Sequence, residues 1–217
     1  MNLAIFDLDN TLLDGDSDYS WGCFLAEIGA VDSKEYQLTN EKFYTQYREG
    51  NLDINAFLEF ALKPLAQYPL DKLLRWRAQF MEQYIEKMIL PKGKALIQTH
   101  IAQGHATMII TATNRFVTEP IAKRLGVDHL LATEPEMQND AYTGKVYGVP
   151  CFQQGKIQRL KEWQHMQKSP IAEMWFYSDS HNDIPLLEHV NHPIAVDPDP
   201  ILKAHAINKT WKIISLK

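Results

Sequence analysis

A doubly wound, mostly parallel α/β sheet with an inserted helical subdomain is the fold this sequence predicts, and three observations predict it. A short apolar run, Leu3-Ala4-Ile5-Phe6, stops at two acids spaced by one residue, Asp7 and Asp9. That is the pattern of a buried strand whose C-terminal edge presents carboxylates to a ligand. From Pro91 onward, helical and β-rich segments alternate, as they do in a parallel sheet covered by helices. Between these, from about Asp14 to Leu90, runs a stretch far longer than one βαβ crossover needs.

The insertion has apolar residues at helical spacing, such as Phe57, Leu58, Phe60, Ala61 and Leu65, then Leu73, Leu74, Trp76, Phe80 and Tyr84. They read as several amphipathic helices, with Pro64, Pro69 and Pro91 expected at helix boundaries. One unit is therefore expected from residues 1–13 and 91–217, and a second, all-helical one from 14–90. After Pro91-Lys92-Gly93 come a helix over about 95–103 ending at Gly104, a strand from Ala106 to Ile110, and a polar cluster, Thr111 to Asn114. A helix over about 115–125 follows, with Pro120 in its first turns and Gly126 at its end. A strand near 129–132 precedes two alternating runs around Asn139-Asp140 that read as a hairpin. A helix over about 157–167 leads to a buried strand, Met174 to Ser178, which ends at Asp179. A helix over about 184–189 and short strands at 194–196 and 211–214 complete the expectation.

The chain has 217 residues, 45% hydrophobic and 23% charged, enough to bury a sizeable core. Its net charge of -5 and lack of any Lys/Arg-rich run argue against a nucleic-acid partner. Cys23 and Cys151 have no paired metal-ligand spacing and fit a reducing compartment. Asp7 and Asp9 interrupt the N-terminal apolar run, so no signal-peptide core is read, and no segment approaches the roughly 20 apolar residues of a membrane span. The expectation is a cytoplasmic protein without membrane or nucleic-acid partners, monomeric or homodimeric.

Four polar features follow strands or open helices: Asp7-Leu8-Asp9, Thr111-Ala112-Thr113-Asn114, Lys156 after Gly155, and Asp179-Ser180-His181-Asn182-Asp183. Strands of a parallel sheet point one way, so these features converge on one crevice. Singly, each has an ordinary reading. The acids serve as turn or N-cap residues, Thr111 caps the next helix, Lys156 is a solvated surface lysine, and His181 is an exposed loop residue. Jointly, four carboxylates would repel one another unless a cation compensates them. A hard, oxygen-seeking divalent ion, Mg²⁺ above all, is the expected partner.

Asp7-Leu8-Asp9-Asn10-Thr11-Leu12 resembles the first motif of the haloacid dehalogenase superfamily, and Thr111, Lys156 and Asp179 with Asp183 fall where its other motifs belong. The resemblance spans nearly the whole chain, and the helical insertion after the first motif is similar to the cap of the phosphoserine-phosphatase-like branch. It implies a phosphomonoesterase that works on a small-molecule phosphate ester. Asp7 would attack phosphorus to give an aspartyl-phosphate, and Asp9 would protonate the leaving group and later activate water. Mg²⁺ would be held by Asp7, the Asp9 carbonyl and Asp179, with Asp183 behind them or reached through water. Thr111 and Lys156 would grip the phosphoryl oxygens, with Ala112, Thr113 and Asn182 as further phosphate-binding candidates. Two other readings share parts of this chemistry: a receiver-type signalling domain, disfavoured because Asp7 lies on the first strand, and a phosphotransferase.

In the branch's phosphoserine enzymes, a cap glutamate holds the substrate amine and a cap arginine its carboxylate. The aligned positions here carry Asp16 and Ala61, with Arg48 the available substitute. A substrate carboxylate lacking its arginine would be poorly paired. The acidic start of the insertion, Asp14, Asp16 and Asp18, suits a cationic group instead, with Tyr19, Trp21 and Tyr47 able to stack on it. Asp16, Asp18, Trp21 and Arg48 are thus the candidate specificity residues. The branch this chain resembles includes enzymes that hydrolyse histidinol phosphate, an ester with an amine and an imidazole but no carboxylate, and the resemblance makes it the expected substrate; phosphoserine or a range of small phosphorylated metabolites is the alternative.

Overall fold

The computed structural model describes all residues from Met1 to Lys217. Its core is a seven-stranded sheet in the order β4-β3-β2-β1-β5-β6-β7. The strands are β1 Leu3–Phe6, β2 Ala106–Asn114, β3 His129–Gln138, β4 Ala141–Tyr147, β5 Met174–Ser178, β6 His192–Val196 and β7 Lys212–Ile214. Every pair is parallel except β3 with β4, the hairpin closed by Asn139 and Asp140 at φ 50° and 60°. Those values are the two left-handed positions that a two-residue turn requires. Strand β1 pairs with β2 on one side and β5 on the other, Leu3 lying opposite both Ala106 and Met174. The strand order therefore reverses beside β1, and such a switch point opens a crevice at the carboxyl ends of the strands.

Between β1 and Pro91 lie α1 Ser17–Glu27, α2 Ser33–Glu49, α3 Ile54–Gln67, α4 Leu70–Phe80, a π-helical turn Met81–Ile85, and α5 Glu86–Met88. Asp16, Asp32 and Asp53 cap the first three, each accepting a backbone N–H from the first turn. The two connections to the rest of the chain run side by side. Asp14 N donates to the Met88 carbonyl at 2.7 Å and Leu90 N to the Leu12 carbonyl at 3.0 Å. The remaining helices are α6 Pro91–Ala102, α7 Arg115–Leu125, α8 Gln154–His165, α9 Ile184–Leu187 and α10 Pro200–Asn208.

Strand alternation assigns the two faces of the sheet. Ala4 and Phe6 join a core with Trp21, Phe24, Leu62, Leu73, Phe80, Phe116 and Ile121, so the insertion shares its apolar interior with one face. Leu3 and Ile5 pack on the other face with Leu160, Trp163, Leu186, Leu187 and Leu202, from α8, α9 and α10. No helix is long and apolar enough to cross a membrane.

Several expectations are corrected. Pro64 lies inside α3, not at its boundary. Burial of Leu58, Ala61, Leu62 and Leu65 on that helix outweighs the hydrogen bond the proline forgoes. The helix α10 was not anticipated, although Asp199 caps it and Pro200 occupies its first position. The helices expected to begin near 95 and 157 start at Pro91 and Gln154. The one expected over 184–189 is a 3₁₀ turn, His181–Asp183, followed by the four residues of α9. The polar run after Ile110 continues strand β2 as far as Asn114.

Beneath β5, His100 is 5% exposed, its Nε2 2.8 Å from the Tyr177 hydroxyl and its Nδ1 2.9 Å from His105 Nδ1. Burial, with His105 adding to it, lowers its pKa from 6.5 to about 4. A depressed histidine favours folding fully above its unfolded value and loses that contribution as pH falls toward the folded one. His100→Gln is therefore expected to flatten the fall in Tm between about pH 6.5 and 4.5, as read by thermal unfolding across pH. Parallel curves for variant and parent would refute this.

Candidate active site

The residue after β1 is fixed by the ladder itself: Asp7 N donates to the Tyr177 carbonyl at 2.9 Å, continuing the pairing with β5. The chain then turns sharply, with Leu12 N and Leu13 N both donating to the Leu8 carbonyl and Asn10 at φ 57°. Leu8 and Leu12 are fully buried and pin this loop to the core. Thr11 donates to Asp179 Oδ1 at 3.0 Å, lies 3.4 Å from Asp7 Oδ2, and accepts from Asp179 N at 3.1 Å. One hydroxyl thereby ties the end of β1 to the end of β5.

Lys156 arrives from the first turn of α8. Gln153 ahead of it has φ 46°, and a Cβ on Gly155 would come within 2.0 Å of the Pro150 carbonyl oxygen, so that position requires glycine. The ammonium reaches Asp7 Oδ1 at 2.8 Å and both Asp183 oxygens at 2.7 and 2.8 Å. Burial disfavours its charge, but Asp183 and Asp7 together hold it protonated. Asp183 Oδ2 also accepts from Ser178 Oγ at 2.7 Å, which leaves its carboxylate fully engaged as the counter-ion of Lys156.

Asp9 accepts from Ser17 N at 2.6 Å and from Thr113 Oγ1 at 2.8 Å. Its side chain is thus held by the start of α1 and the end of β2, and the hydroxyl of Thr113 is committed to it. Thr111 Oγ1 accepts from Thr113 N at 3.2 Å, and the Ala112 carbonyl accepts from Thr133 Oγ1 at 2.7 Å. Burial pushes Asp7 up to about 7, with Lys156 opposing and Asp183 reinforcing. Burial, with Asp16 adding to it, likewise pushes Asp9 up to about 7. Asp179 is raised well above the carboxylate range by burial and by Asp7.

No three His, Cys, Asp or Glu side chains close on one point. Asp183, bonded to Lys156, stands behind the expected ligands, and the bonds of Asp9 to Ser17 and Thr113 engage its side chain and not its carbonyl. The carboxylates of Asp7 and Asp179 are bridged by Thr11. These donors are all oxygens and carry excess negative charge, which fits a hard divalent cation.

Above Asp7, Asp9 and Thr111 opens a chamber. Asp16, Asp18, Tyr19, Asn40, Phe43, Tyr44, Tyr47 and Phe57 line it, and no lysine or arginine does. Asp16 is raised by burial, and Asp18 well raised by burial and then by Asp16 and Asp9. The only side-chain partner of the Asp18 carboxylate is Asn114 Nδ2, at 3.5 Å. Phe43, Tyr44 and Phe57 were not anticipated, although they sit on amphipathic faces that the sequence displays.

Four sequence expectations fare differently. Trp21 is 2% exposed, packed against Phe24, Phe80 and Phe116 in the core, and does not line the chamber. Arg48 lines a neighbouring cleft with Asn10, Asp179 and His181, which shares Tyr44 and Tyr47 with the chamber. Asn182 has both ends of its amide occupied, accepting from Gln153 Nε2 at 2.9 Å and donating to the Tyr47 carbonyl at 3.1 Å. His181 is not an exposed loop residue: its side chain is 12% exposed, with Nδ1 2.8 Å from Asp199 Oδ2.

The chain matches the family model described as haloacid dehalogenase-like hydrolase over residues 4–188. It is 42% identical to the histidinol-phosphatase of Neisseria meningitidis serogroup C (strain 8013), covering 100% of this chain and 99% of that protein. A crystal structure titled as a protein with unknown function from Bordetella pertussis Tohama I superposes with a TM-score of 0.94 at 41% identity, covering 100% and 99% of the two chains. A substrate-bound phosphoserine phosphatase shares the fold at TM-score 0.71 and 19% identity, covering 100% of this chain and 93% of that one. With its strand-end acids gathered at the switch point as that fold requires, the chain belongs to the haloacid dehalogenase-like hydrolases and is a phosphatase of that family.

Proposed function

We propose that this phosphatase hydrolyses histidinol phosphate through an aspartyl-phosphate on Asp7, with residues 14–90 acting as the cap that selects the ester. The observation that carries the substrate is the chamber's charge: Asp16 and Asp18 face it among aromatic rings, with no cation in its lining. An ester with an amine and an imidazole offers both acids a partner and the rings a stacking surface. A substrate carboxylate, as in phosphoserine, would meet two acids and no arginine. The relative at 42% identity, named histidinol-phosphatase, supports the same reading.

Asp7 attacks phosphorus as the bond to the substrate oxygen breaks, and Asp9 delivers its proton to that leaving oxygen. Water then attacks the phosphoenzyme, Asp9 takes a proton from it, and the bond from phosphorus to Asp7 breaks, releasing inorganic phosphate. An acid that titrates near 7 suits Asp9 to both roles. Lys156 and Thr111 hold phosphoryl oxygens, and Lys156 also offsets the charge of Asp7. Asp7, Asp179 and the Asp9 carbonyl would hold Mg²⁺, which supplies positive charge to the phosphoryl oxygens and keeps Asp7 ionised.

Steady-state kinetics on a panel of esters, following inorganic phosphate release, tests the reading. kcat/KM for histidinol phosphate is expected to exceed that for phosphoserine by about 10²-fold or more, the scale of a charged pair made or lost in a closed site. Faster turnover of phosphoserine would overturn the substrate, and transfer of phosphate to a sugar hydroxyl in place of release would overturn the reaction.

A further inference from the structure

Tyr47, near the end of α2, lines the chamber with Asp7 and Thr111 and also the adjoining cleft with Asp179 and Ser180. Its backbone and ring are held firmly. The carbonyl accepts from Asn182, itself held by Gln153, and the ring lies 6.2 Å from that of Phe152. Just beyond, Gly50 at φ 74° lies so close to the His181 ring that a Cβ would sit 2.6 Å from Nε2. The end of α2 is thus fastened to the segments that flank Lys156 and Asp179.

The hydroxyl is held much less well. Its one partner is Ser180 Oγ at 3.4 Å, beyond the ordinary O–H···O range. A phenol, with an ordinary pKa of about 10, is a hydrogen-bond donor near neutral pH. The hydroxyl thus stands where chamber and cleft meet as a donor with no close protein acceptor, open to an acceptor that a ligand brings. Phosphoryl oxygens arriving at Asp7 are such acceptors.

We propose that Tyr47 is a further catalytic residue, its hydroxyl donating to a non-bridging oxygen of the phosphoryl group in transfer to and from Asp7, and that Asn182 is the positioning residue that sets it. The site is then complete only when α2 is docked on the sheet. This rests on phosphoryl transfer at Asp7, and on no choice of ester.

Tyr47→Phe keeps the ring and the backbone contact to Asn182. With p-nitrophenyl phosphate as substrate, kcat is expected to fall about 10²-fold, as for loss of one transition-state donor. The inhibition constant for inorganic phosphate is expected to rise about tenfold, with Tm within about 3 °C of the parent. Asn182→Ala is expected to weaken phosphate inhibition in the same sense, and adding it to Tyr47→Phe to cost little more, because the two act through one hydroxyl. A Tyr47→Phe enzyme within twofold of the parent in both constants would overturn the catalytic role. Fully additive effects would overturn the link to Asn182. Neither result depends on histidinol phosphate being the natural substrate, since probe ester and inhibitor share only the phosphoryl group.

Discussion

Asp7→Asn is expected to abolish turnover, by on the order of 10⁴-fold or more in kcat, while leaving the fold intact. The amide has the shape of the carboxylate but cannot form an acyl phosphate. The structure adds a second expectation, that the variant is at least as stable as the parent. Burial pushes the Asp7 carboxyl up to about 7, so near neutral pH its charge is a cost to the folded state. An uncharged amide removes that cost and the repulsion from Asp179 and Asp183. Lys156 keeps a partner, since it also bonds both oxygens of Asp183. Thermal unfolding and a phosphate-release assay with added Mg²⁺ check both parts. Residual Mg²⁺-dependent activity above about 1% of the parent would remove Asp7 as the nucleophile, since the expected loss is a hundredfold larger.

The strand ends that carry Asp7 and Asp179 were legible because a buried parallel strand advertises itself as an apolar run, and the first polar residue after it marks the sheet edge. Lys156 was legible through the glycine before it, although the close approach of Pro150 that demands that glycine was not. What stayed hidden depends on contacts between residues far apart in sequence. Asn182 reads from the sequence as a phosphate ligand, whereas in the fold its amide also accepts from Gln153 and donates to the carbonyl of Tyr47, 135 positions away. Trp21 and Tyr44 are both aromatic residues on adjacent helices of the insertion. Only the packing of α1 on Phe80 and Phe116 decides that the first is core and the second chamber wall. Pro64 misled for a related reason, since a local rule about proline yielded to the apolar face of the helix containing it.

Lys156→Met should produce the largest loss of stability of any single change at this site, together with loss of activity. The lysine is the cation shared by Asp7 and Asp183, and all three side chains are at most 6% exposed. Removing one partner of a buried ion network leaves charge with neither water nor counter-ion, a cost of about 3–5 kcal/mol. For a chain of 217 residues that corresponds to a drop in Tm of roughly 6–20 °C. Two features separate this account from a simple packing defect. Lys156→Met combined with Asp183→Asn is expected to recover much of the stability, because the double variant leaves one fewer stranded charge, yet to recover no activity, because Asp7 and the phosphoryl oxygens still lack their ammonium. The deficit of the single variant is also expected to shrink as pH falls. Without Lys156 to lower it, the Asp7 pKa lies further above its unfolded value, so the folded variant takes up a proton that the unfolded chain does not, and is stabilised toward acid. Thermal unfolding of parent, single and double variants at about pH 5.5 and 8 measures all of this, a window that spans the raised Asp7 titration. A deficit that is independent of pH and untouched by Asp183→Asn would mean that Lys156 acts through its methylenes rather than its charge.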